Sequence, residues 1–300
     1  MVSYNDKITL INYFRSVAER ELCSIVRSTH DYRKQASKIN TVIKDQKDCT
    51  IDEMLQTAHH SRWSNEYVLD CVLHITYASY VVMLEFRNKV WPYEYMAFAR
   101  RIGELWEPFC KETFSYPVKK LRLINPPDFD EVQEDIKRNA SNYINSLSVD
   151  YQTKRLLHYH YSIPWNLVDS GGIQLGLDLH FSQNGINYNC DFKSGFSSNE
   201  KGNTNRLLLV ASIYNSLGEI EKTILFVRQP EDDNNHYLQT LKNSPYWDVY
   251  CANDSYAAMK EFTGFDIRKW LDENADWQND ISEDFKLHLQ KNDLLKYLTW

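Results

Sequence analysis

The stretch GIQLGLDLHFSQNGINYNCDFKSGF, residues 172–196, alternates apolar and polar residues on both sides of Asn184-Gly185. Asn-Gly is the strongest short signal for a β-hairpin, because both residues tolerate the positive φ angles of a type I′ turn. The pattern therefore predicts two antiparallel strands, at 173–181 and 186–193, joined by a two-residue turn.

Each predicted strand has one apolar and one polar face, since successive side chains of a strand point to opposite sides of the sheet. Asp178 and His180 lie on the polar face of the first strand, and Asp191 and Lys193 lie on that of the second. The apolar faces consist of Ile173, Leu175, Leu177, Leu179 and Phe181 in the first strand, and of Ile186, Tyr188, Cys190 and Phe192 in the second.

The two-residue turn also predicts the register of the hairpin. If Gln183 pairs with Ile186, counting outward places Asp178 opposite Asp191, with Lys193 two residues further along. Directly opposed residues on one face have Cβ atoms roughly 4.5–5.5 Å apart. Two carboxylates at that distance repel each other, and a magnesium ion bound to both would remove the repulsion. A lysine beside the ion can steady an attacking water or developing negative charge.

Outside the hairpin, hydrophobic spacing predicts a helical front half and a mixed rear half. Residues 1–92 are expected to be helical, and Pro108 is expected to kink or end the helix that follows. The segment 204–217 is compatible with a strand, but its length and a cap at Asn203 or Thr204 favour a helix. The expected helices are near 8–22, 31–43, 65–88, 93–109, 128–147 (capped by Asp128), 151–159, 204–217, 235–243 and 255–275, and the further strands are 222–229 and 247–252.

These elements indicate an α/β (α+β) fold, with a small mixed central sheet of four or five strands flanked by helices and preceded by an N-terminal helical region. The chain has 300 residues, of which 43% are hydrophobic and 25% charged, as in ordinary globular proteins. Its six scattered cysteines form no metal-binding pair and favour reduced thiols in a cytoplasmic protein. The apolar stretch 67–84 contains Asp70 and His74, so we expect a buried helix and no membrane span.

Taken alone, the formal net charge of −7 argues against nucleic-acid binding, because phosphate contacts require Lys and Arg, but it does not exclude such binding. It is compatible with a local basic cleft on an acidic body, and such a cleft would suit an enzyme that must release its product. No GxxxxGK[ST], GxGxxG or GxSxG motif occurs, so nucleotide-driven, dinucleotide-dependent and hydrolase-elbow chemistry lack support.

The hairpin resembles the PD-(D/E)xK nuclease superfamily, and within it the type II restriction endonucleases. The matching residues are Asp178 and, on the next strand, Asp191-Phe192-Lys193; Leu177 stands where the family often has proline. The resemblance implies a restriction-endonuclease-like core at 93–300, with a helical insertion at about 111–165. Residues 1–92 match nothing in the family, and we expect them to serve dimerisation or DNA contact.

The resemblance also implies a mechanism and a set of site residues. Asp178, Asp191 and the carbonyl of Phe192 would hold Mg²⁺, and Lys193 would orient or deprotonate the attacking water. The family tends to carry a glutamate on a helix before the hairpin, and both Glu104 and Glu107 fit that place. An exposed helix face with salt bridges explains these two glutamates equally well.

The reaction implied is hydrolysis of double-stranded DNA at a specific sequence, leaving a 5′-phosphate and a 3′-hydroxyl. A homodimer is expected, with a cognate DNA methyltransferase in the same system but not in stable complex. Alternative functions are a repair or phage-defence nuclease of the same superfamily, or a non-catalytic DNA-binding protein. The loop 194–206 is the expected DNA contact unless it is an ordinary flexible loop, and its candidate residues are Lys201, Asn199, Asn203, Asn205 and Arg206.

Overall fold

The structure, a computed structural model, describes residues 3–167, 174–197 and 200–300. Within these ranges the chain forms an α+β fold with twelve α-helices and one five-stranded mixed sheet. The elements in chain order are α1 (Lys7–Ser28), α2 (Tyr32–Ser61), α3 (Asn65–Val90), α4 (Tyr95–Ser115), β1 (Arg122–Leu123), α5 (Phe129–Ser146), α6 (Tyr151–Leu167), β2 (Leu179–Gln183), β3 (Ile186–Lys193), α7 (Lys201–Leu217), β4 (Glu221–Val227), α8 (His236–Lys242), β5 (Trp247–Cys251), α9 (Asn253–Thr263), α10 (Ile267–Asn274), α11 (Trp277–Asp280) and α12 (Glu283–Lys291).

The strands lie in the sheet in the order β1-β2-β3-β4-β5. The β1–β2 and β2–β3 pairs are antiparallel, whereas β3–β4 and β4–β5 are parallel. Helix α7 connects β3 to β4, and helix α8 connects β4 to β5. The carboxyl-terminal ends of β3, β4 and β5 therefore share one edge of the sheet, which is where parallel sheets usually bind ligands.

Both faces of the sheet are covered, and β4 shows why. Ile224 and Phe226 of this strand pack into the larger core, together with Phe181, Phe192 and the helices α1–α4. Leu225 and Val227 alternate with them and pack into a second core, against α7 and α8. A strand buried on both faces is a continuous apolar run, which is what residues 224–227 are.

The helical front half is confirmed, although α2 extends to Ser61, well beyond residue 43. Helix α3 is long and apolar enough to cross a membrane, but 83% of its most apolar 18-residue window is buried inside the protein. Such burial is typical of the core helix of a soluble protein. All six cysteines lie within the described residues and are free, as expected.

Helix α4 corrects the expectation for Pro108, because it continues past the proline to Ser115. The missing N–H of proline costs one helical hydrogen bond. Burial of the apolar face outweighs that cost, since Phe98 and Trp106 before Pro108 and Phe114 after it are all fully buried.

The expected strand 173–181 is also shorter in the structure, where β2 begins only at Leu179; Ile173 lies outside the described residues. Leu175 and Leu177 do not share the apolar face of Leu179 and Phe181. Leu175 instead packs against Val210 and Tyr214 of α7, on the opposite side of the sheet. Between Leu175 and Leu179 the chain therefore passes from the α7 side of the sheet to the larger core, and Asp178 lies in this segment.

A single helix was expected over 255–275, and the structure has α9 and α10 instead. Gly264 ends α9 with a φ of +81°, in the left-handed region that favours glycine. A Cβ at this glycine would lie 2.8 Å from the side chain of Lys119, so the close approach also requires glycine. The expected strands at 222–229 and 247–252 and the helices at 204–217 and 235–243 are confirmed within three residues at each end.

Candidate active site

The β2–β3 hairpin has the predicted turn and register. Asn184 and Gly185 both have positive φ, 54° and 82°, as a type I′ turn requires. Gln183 pairs with Ile186, and the ladder continues to Leu179 opposite Cys190. Asp178 is the next residue before the ladder and Asp191 the next after Cys190, so the two carboxylates follow the same register.

The carboxylate of Asp178 is held against β3 by a main-chain hydrogen bond. Its Oδ2 accepts from the N–H of Phe192 at 2.8 Å. This bond places the Asp178 side chain beside the peptide group that joins Asp191 to Phe192. The residue is half-buried, so its carboxylate remains partly open to solvent.

The side chain of Asp191 is almost completely enclosed, with 1% of its surface exposed. Lys193 forms an ion pair with its Oδ2, and Nη2 of Arg206 lies 3.5 Å from its Oδ1. The Lys193 ammonium also donates to the main-chain oxygen of Phe192 at 3.2 Å. Oδ2 is therefore buried against the ammonium group of Lys193.

Burial raises the pKa of Asp191 to about 6, and the nearby charge of Asp178 adds to the increase. Lys193 and Arg206 act in the opposite direction, since their positive charges favour the ionised carboxylate. The pKa is raised because the cost of burial, together with the charge of Asp178, outweighs the effect of these two cations. A site of this kind stabilises an additional positive charge.

Glu107, and not Glu104, lies in electrostatic contact with the hairpin. Burial raises the pKa of Glu107, Asp178 raises it further, and Lys111 and Lys193 oppose the increase. Glu104 is about half exposed and forms ion pairs with Arg100 at 3.1 Å and Arg101 at 3.4 Å. The exposed salt-bridged face proposed for this helix therefore holds for Glu104. Glu107 also forms an ion pair, with Lys111 at 3.3 Å, but it is partly buried and its charge interacts with those of Asp178 and Lys193.

Close packing of α4 against the end of β3 explains how Glu107 reaches the site. Gly103 lies directly over Ser194, and a Cβ there would be 2.5 Å from the Ser194 Oγ. One turn later Trp106 contacts Phe192, with 5.7 Å between ring centroids, and donates to the Tyr256 hydroxyl at 2.9 Å. Glu107 follows Trp106 and is carried to the same end of β3.

Below the carboxylates, the polar face of the hairpin forms a hydrogen-bonded network that sequence reasoning missed. His180 Nε2 accepts from the Leu177 N–H at 2.9 Å, and its Nδ1 contacts Asn189 Oδ1 at 2.7 Å. Asn189 in turn donates to Glu221 at 2.8 Å. Burial lowers the pKa of His180, so the imidazole is neutral, with Nδ1–H donating to Asn189. The network supports the segment that carries Asp178 into β2.

The residues expected to contact DNA lie mainly on a helix and not on a loop. Lys201, Asn203, Asn205 and Arg206 belong to the first two turns of α7, which begins at Lys201 after Glu200; Asn199 lies outside the described residues. The expected caps Asn203 and Thr204 are therefore already inside the helix. Arg206 is partly exposed and reaches back to Asp191, a contact that no local pattern in the sequence predicts.

The carboxylates suit a magnesium ion. Among the described residues, no group of three or more His, Cys, Asp or Glu side chains is placed to hold a metal by itself. Mg²⁺ does not require such a group, because it commonly binds one or two carboxylates and completes its shell with water and substrate phosphate. The buried carboxylate of Asp191, beside Asp178, supplies oxygen atoms of the kind that this ion prefers.

Comparison with known proteins adds no relative. No family model, no curated protein and no solved structure matches the chain. The class of protein defined by fold and site is thus an α+β protein with a paired-carboxylate and lysine site at the end of a central hairpin. Any more specific function must be argued from these residues.

Proposed function

We propose that this protein is a magnesium-dependent DNA endonuclease of the PD-(D/E)xK type, and more specifically a type II restriction endonuclease. The observation that carries the proposal is the enclosed Asp191, with a raised pKa, next to Asp178 and Lys193. Burying a carboxylate in this way lowers the stability of the fold. Buried carboxylates with a raised pKa are therefore typical of sites that bind or react with a ligand.

The order of elements also supports the proposal. A helix bearing a glutamate precedes an antiparallel hairpin, and the sequence helix, strand, helix, strand follows as α7, β4, α8 and β5. This is the order that the resemblance implies for a restriction-endonuclease-like core. The helices α5 and α6 interrupt it between α4 and β2, as an insertion would.

In this proposal Asp178, Asp191 and the carbonyl of Phe192 hold Mg²⁺. The ion, when bound, supplies electrostatic stabilisation of the charge that develops on the scissile phosphate. Lys193, which reaches both Asp191 and the Phe192 oxygen, orients the attacking water or takes its proton. Glu107 acts on the carboxylates from α4, through its charge or through a water molecule.

The remaining parts of the proposal concern the substrate, the oligomeric state and the cellular location. The substrate is double-stranded DNA, two copies of the chain act together, and the protein works in the cytoplasm beside a cognate methyltransferase. The buried α3 and the free cysteines are compatible with that location.

The proposal is tested by incubating the purified protein with phage and plasmid DNA in Mg²⁺, with EDTA as the control. Discrete bands are expected from a restriction enzyme. Random nicks, or cleavage of branched DNA alone, would favour the repair or phage-defence alternative. Asp191→Asn should abolish cleavage, whereas Asp248→Asn, at an exposed position on neighbouring β5, should not. No cleavage of any DNA, or equal cleavage by Asp191→Asn, contradicts the proposal.

A further inference from the structure

A cavity of about 470 Å³ opens at the carboxyl-terminal edge of the sheet, next to the candidate active site. It is lined by the residues that immediately follow the three parallel strands: Ser194 after β3, Arg228 after β4 and Ala252 after β5. This is the edge at which parallel sheets usually bind ligands. The proposed nuclease chemistry does not use this cavity.

Arg228 is the principal charge in the cavity, and it lacks a counter-ion. Its Nε and Nη2 donate to the Ser194 Oγ at 3.0 and 2.9 Å, and its Nη1 donates to the main-chain oxygen of Thr299 at 3.0 Å. Within the part of the chain that the structure describes, no carboxylate forms an ion pair with it. Burial lowers the pKa of Arg228, and the ionisable group acting against that shift is Tyr256. A guanidinium in this situation favours an anion.

Two further side chains around the cavity are also positively charged. Arg268 and Lys296 line it, against one carboxylate, Asp233. Arg268 and Lys296 are paired with Asp272 and Asp293, so Arg228 is the cation whose charge remains uncompensated.

The start of α9 adds a weaker contribution. Ala252, at its N-cap position, has no side chain that could accept from the first amide groups of the helix. The positive end of the helix dipole is therefore directed towards the cavity wall formed by Ala252 and Asn253.

Two main-chain hydrogen bonds join the lining of the cavity to the end of β3, which carries Lys193. The N–H of Arg228 donates to the carbonyl of Lys193 at 2.9 Å, and the N–H of Gln229 donates to that of Ser194 at 3.2 Å. Lys193 pairs with Val227 across the sheet, and Arg228 is the next residue of the chain. The Arg228 side chain therefore lies on the face of the sheet opposite to that of Lys193. Lys193 and Arg228 therefore lie at the same edge of the sheet, on its two faces.

We infer that the Arg228 cavity is a phosphate-binding subsite, which takes a backbone phosphate of the DNA strand next to the scissile one. The inference rests on the proposed nuclease function for the identity of the ligand. The chemistry of recognition is a tetrahedral phosphate oxyanion held by the two guanidinium N–H groups of Arg228 that Ser194 and Thr299 leave free and, at one side, by the start of α9. Arg228 is a binding residue in this assignment and takes no part in proton transfer.

The test compares the full-length wild type with Arg228→Gln and with a matched control, Lys222→Gln, which removes an exposed charge from the opposite end of the same strand. In the first arm, thermal unfolding is followed in inorganic phosphate and in chloride of equal ionic strength. We expect phosphate to raise the midpoint of the wild type and of Lys222→Gln, but not that of Arg228→Gln.

In the second arm, binding of a short DNA duplex is measured in EDTA over a range of salt concentrations, so that no cleavage occurs. Loss of one phosphate contact should weaken binding and reduce the slope of log K against log salt by about 0.9. Lys222→Gln should keep the slope of the wild type. Arg228→Lys keeps the charge but loses the planar array of donors, so it should weaken phosphate stabilisation and duplex binding while keeping the slope of the wild type, and it serves if Arg228→Gln does not fold.

Equal phosphate stabilisation of the wild type and the Arg228 variants overturns the subsite. A response to inorganic phosphate that depends on Arg228, with an unchanged duplex slope, assigns the cavity to free phosphate and overturns the DNA assignment. Duplex binding that depends on Arg228, in a protein that cleaves no DNA with Mg²⁺, contradicts the nuclease proposal and leaves the subsite standing. The two failures are therefore distinguishable.

Discussion

The ammonium group of Lys193 lies against the carboxylate of Asp191, two residues earlier on β3, in a pair of which the acidic partner is enclosed. Residues two apart on a strand share a face, so the strand itself keeps the pair together. Each charge makes burial of the other tolerable, and neither can be removed without effect on stability.

Removal of one partner of this pair should therefore destabilise more than removal of both. Lys193→Met leaves Asp191 enclosed with only Arg206 nearby, and we expect a loss of up to about 3–5 kcal/mol in the free energy of unfolding. The double variant with Asp191→Asn should regain part of that loss. Chemical denaturation at neutral pH without divalent metal measures both. Costs that simply add in the double variant would show that the two charges do not interact.

This coupling also governs how loss of activity is interpreted. An inactive Lys193→Met enzyme could be inactive because it unfolds, so cleavage must be measured below its denaturation midpoint. A fall in cleavage rate of about 10²–10³-fold in the folded variant is expected for loss of one electrostatic group at the reaction centre.

The two glutamates of α4 give a second prediction. Glu107→Gln should reduce cleavage by about 10–100-fold and weaken apparent Mg²⁺ affinity, as is usual for groups that support metal ligands. Glu104→Gln, one turn earlier and paired with Arg100 and Arg101, should change either quantity less than about twofold. Steady-state cleavage at limiting Mg²⁺ compares the variants. Equal effects of the two substitutions would remove Glu107 from the proposed site.

The sequence predicted those parts of the site that depend on local chemistry. The Asn184-Gly185 turn needs only the conformational freedom of its own two residues, so the register that pairs Asp178 with Asp191 followed from it. The cap at Asp128 is equally local, since its carboxylate accepts from the N–H groups of Asp130 and Glu131.

The parts that the sequence did not predict depend on distant contacts. β2 starts late because Leu175 packs against α7, and α4 passes Pro108 because its apolar face is buried on both sides of the proline. Arg206 reaches Asp191 from α7, and the Arg228 side chain reaches Ser194 from the end of β4; both contacts join separate segments of the chain, which the local sequence pattern cannot predict. The choice between Glu104 and Glu107 likewise required the packing of α4 on β3.

A third prediction concerns pH and the pair formed by Asp70 and His74 on α3. Burial lowers the pKa of His74, but its bonds to Asp70 and the charge of Asp70 outweigh this effect, so the pKa lies above its ordinary value of 6.5. For Asp70, burial raises the pKa, but the bonds from His74 and Trp270 lower it by more in total. Trp270 Nε1 donates to Asp70 at 2.7 Å, which fixes the carboxylate between the two rings.

The sign of the pH dependence follows from these directions. The stability that His74 contributes is fully present below pH 6.5 and is lost as the pH rises through its higher folded pKa. His74→Gln should therefore cost more free energy of unfolding near pH 5 than near pH 9. His59→Gln, at an exposed position on α2, should cost less than about 0.5 kcal/mol at either pH. A His74 penalty that grows towards alkaline pH would contradict the assignment.

The close approach of Gly103 to Ser194 gives the last prediction, because it tests whether α4 must contact the end of β3. Gly103→Ala would place a methyl group 2.5 Å from the Ser194 Oγ and 2.7 Å from its Cβ, so one of the two segments must move. We expect a loss of about 1–3 kcal/mol in stability, as for other overpacked sites, and a lower cleavage rate because Glu107 moves with α4.

Gly202→Ala on α7, where a Cβ meets nothing within 4 Å, should instead stabilise by up to about 1 kcal/mol. Adding Ser194→Gly to Gly103→Ala removes the obstructing side chain. The double variant should therefore lose less stability than the two single variants lose in sum, as measured by thermal denaturation. Strictly additive costs would mean that α4 does not depend on this contact, and Glu107 would then need another explanation for its position.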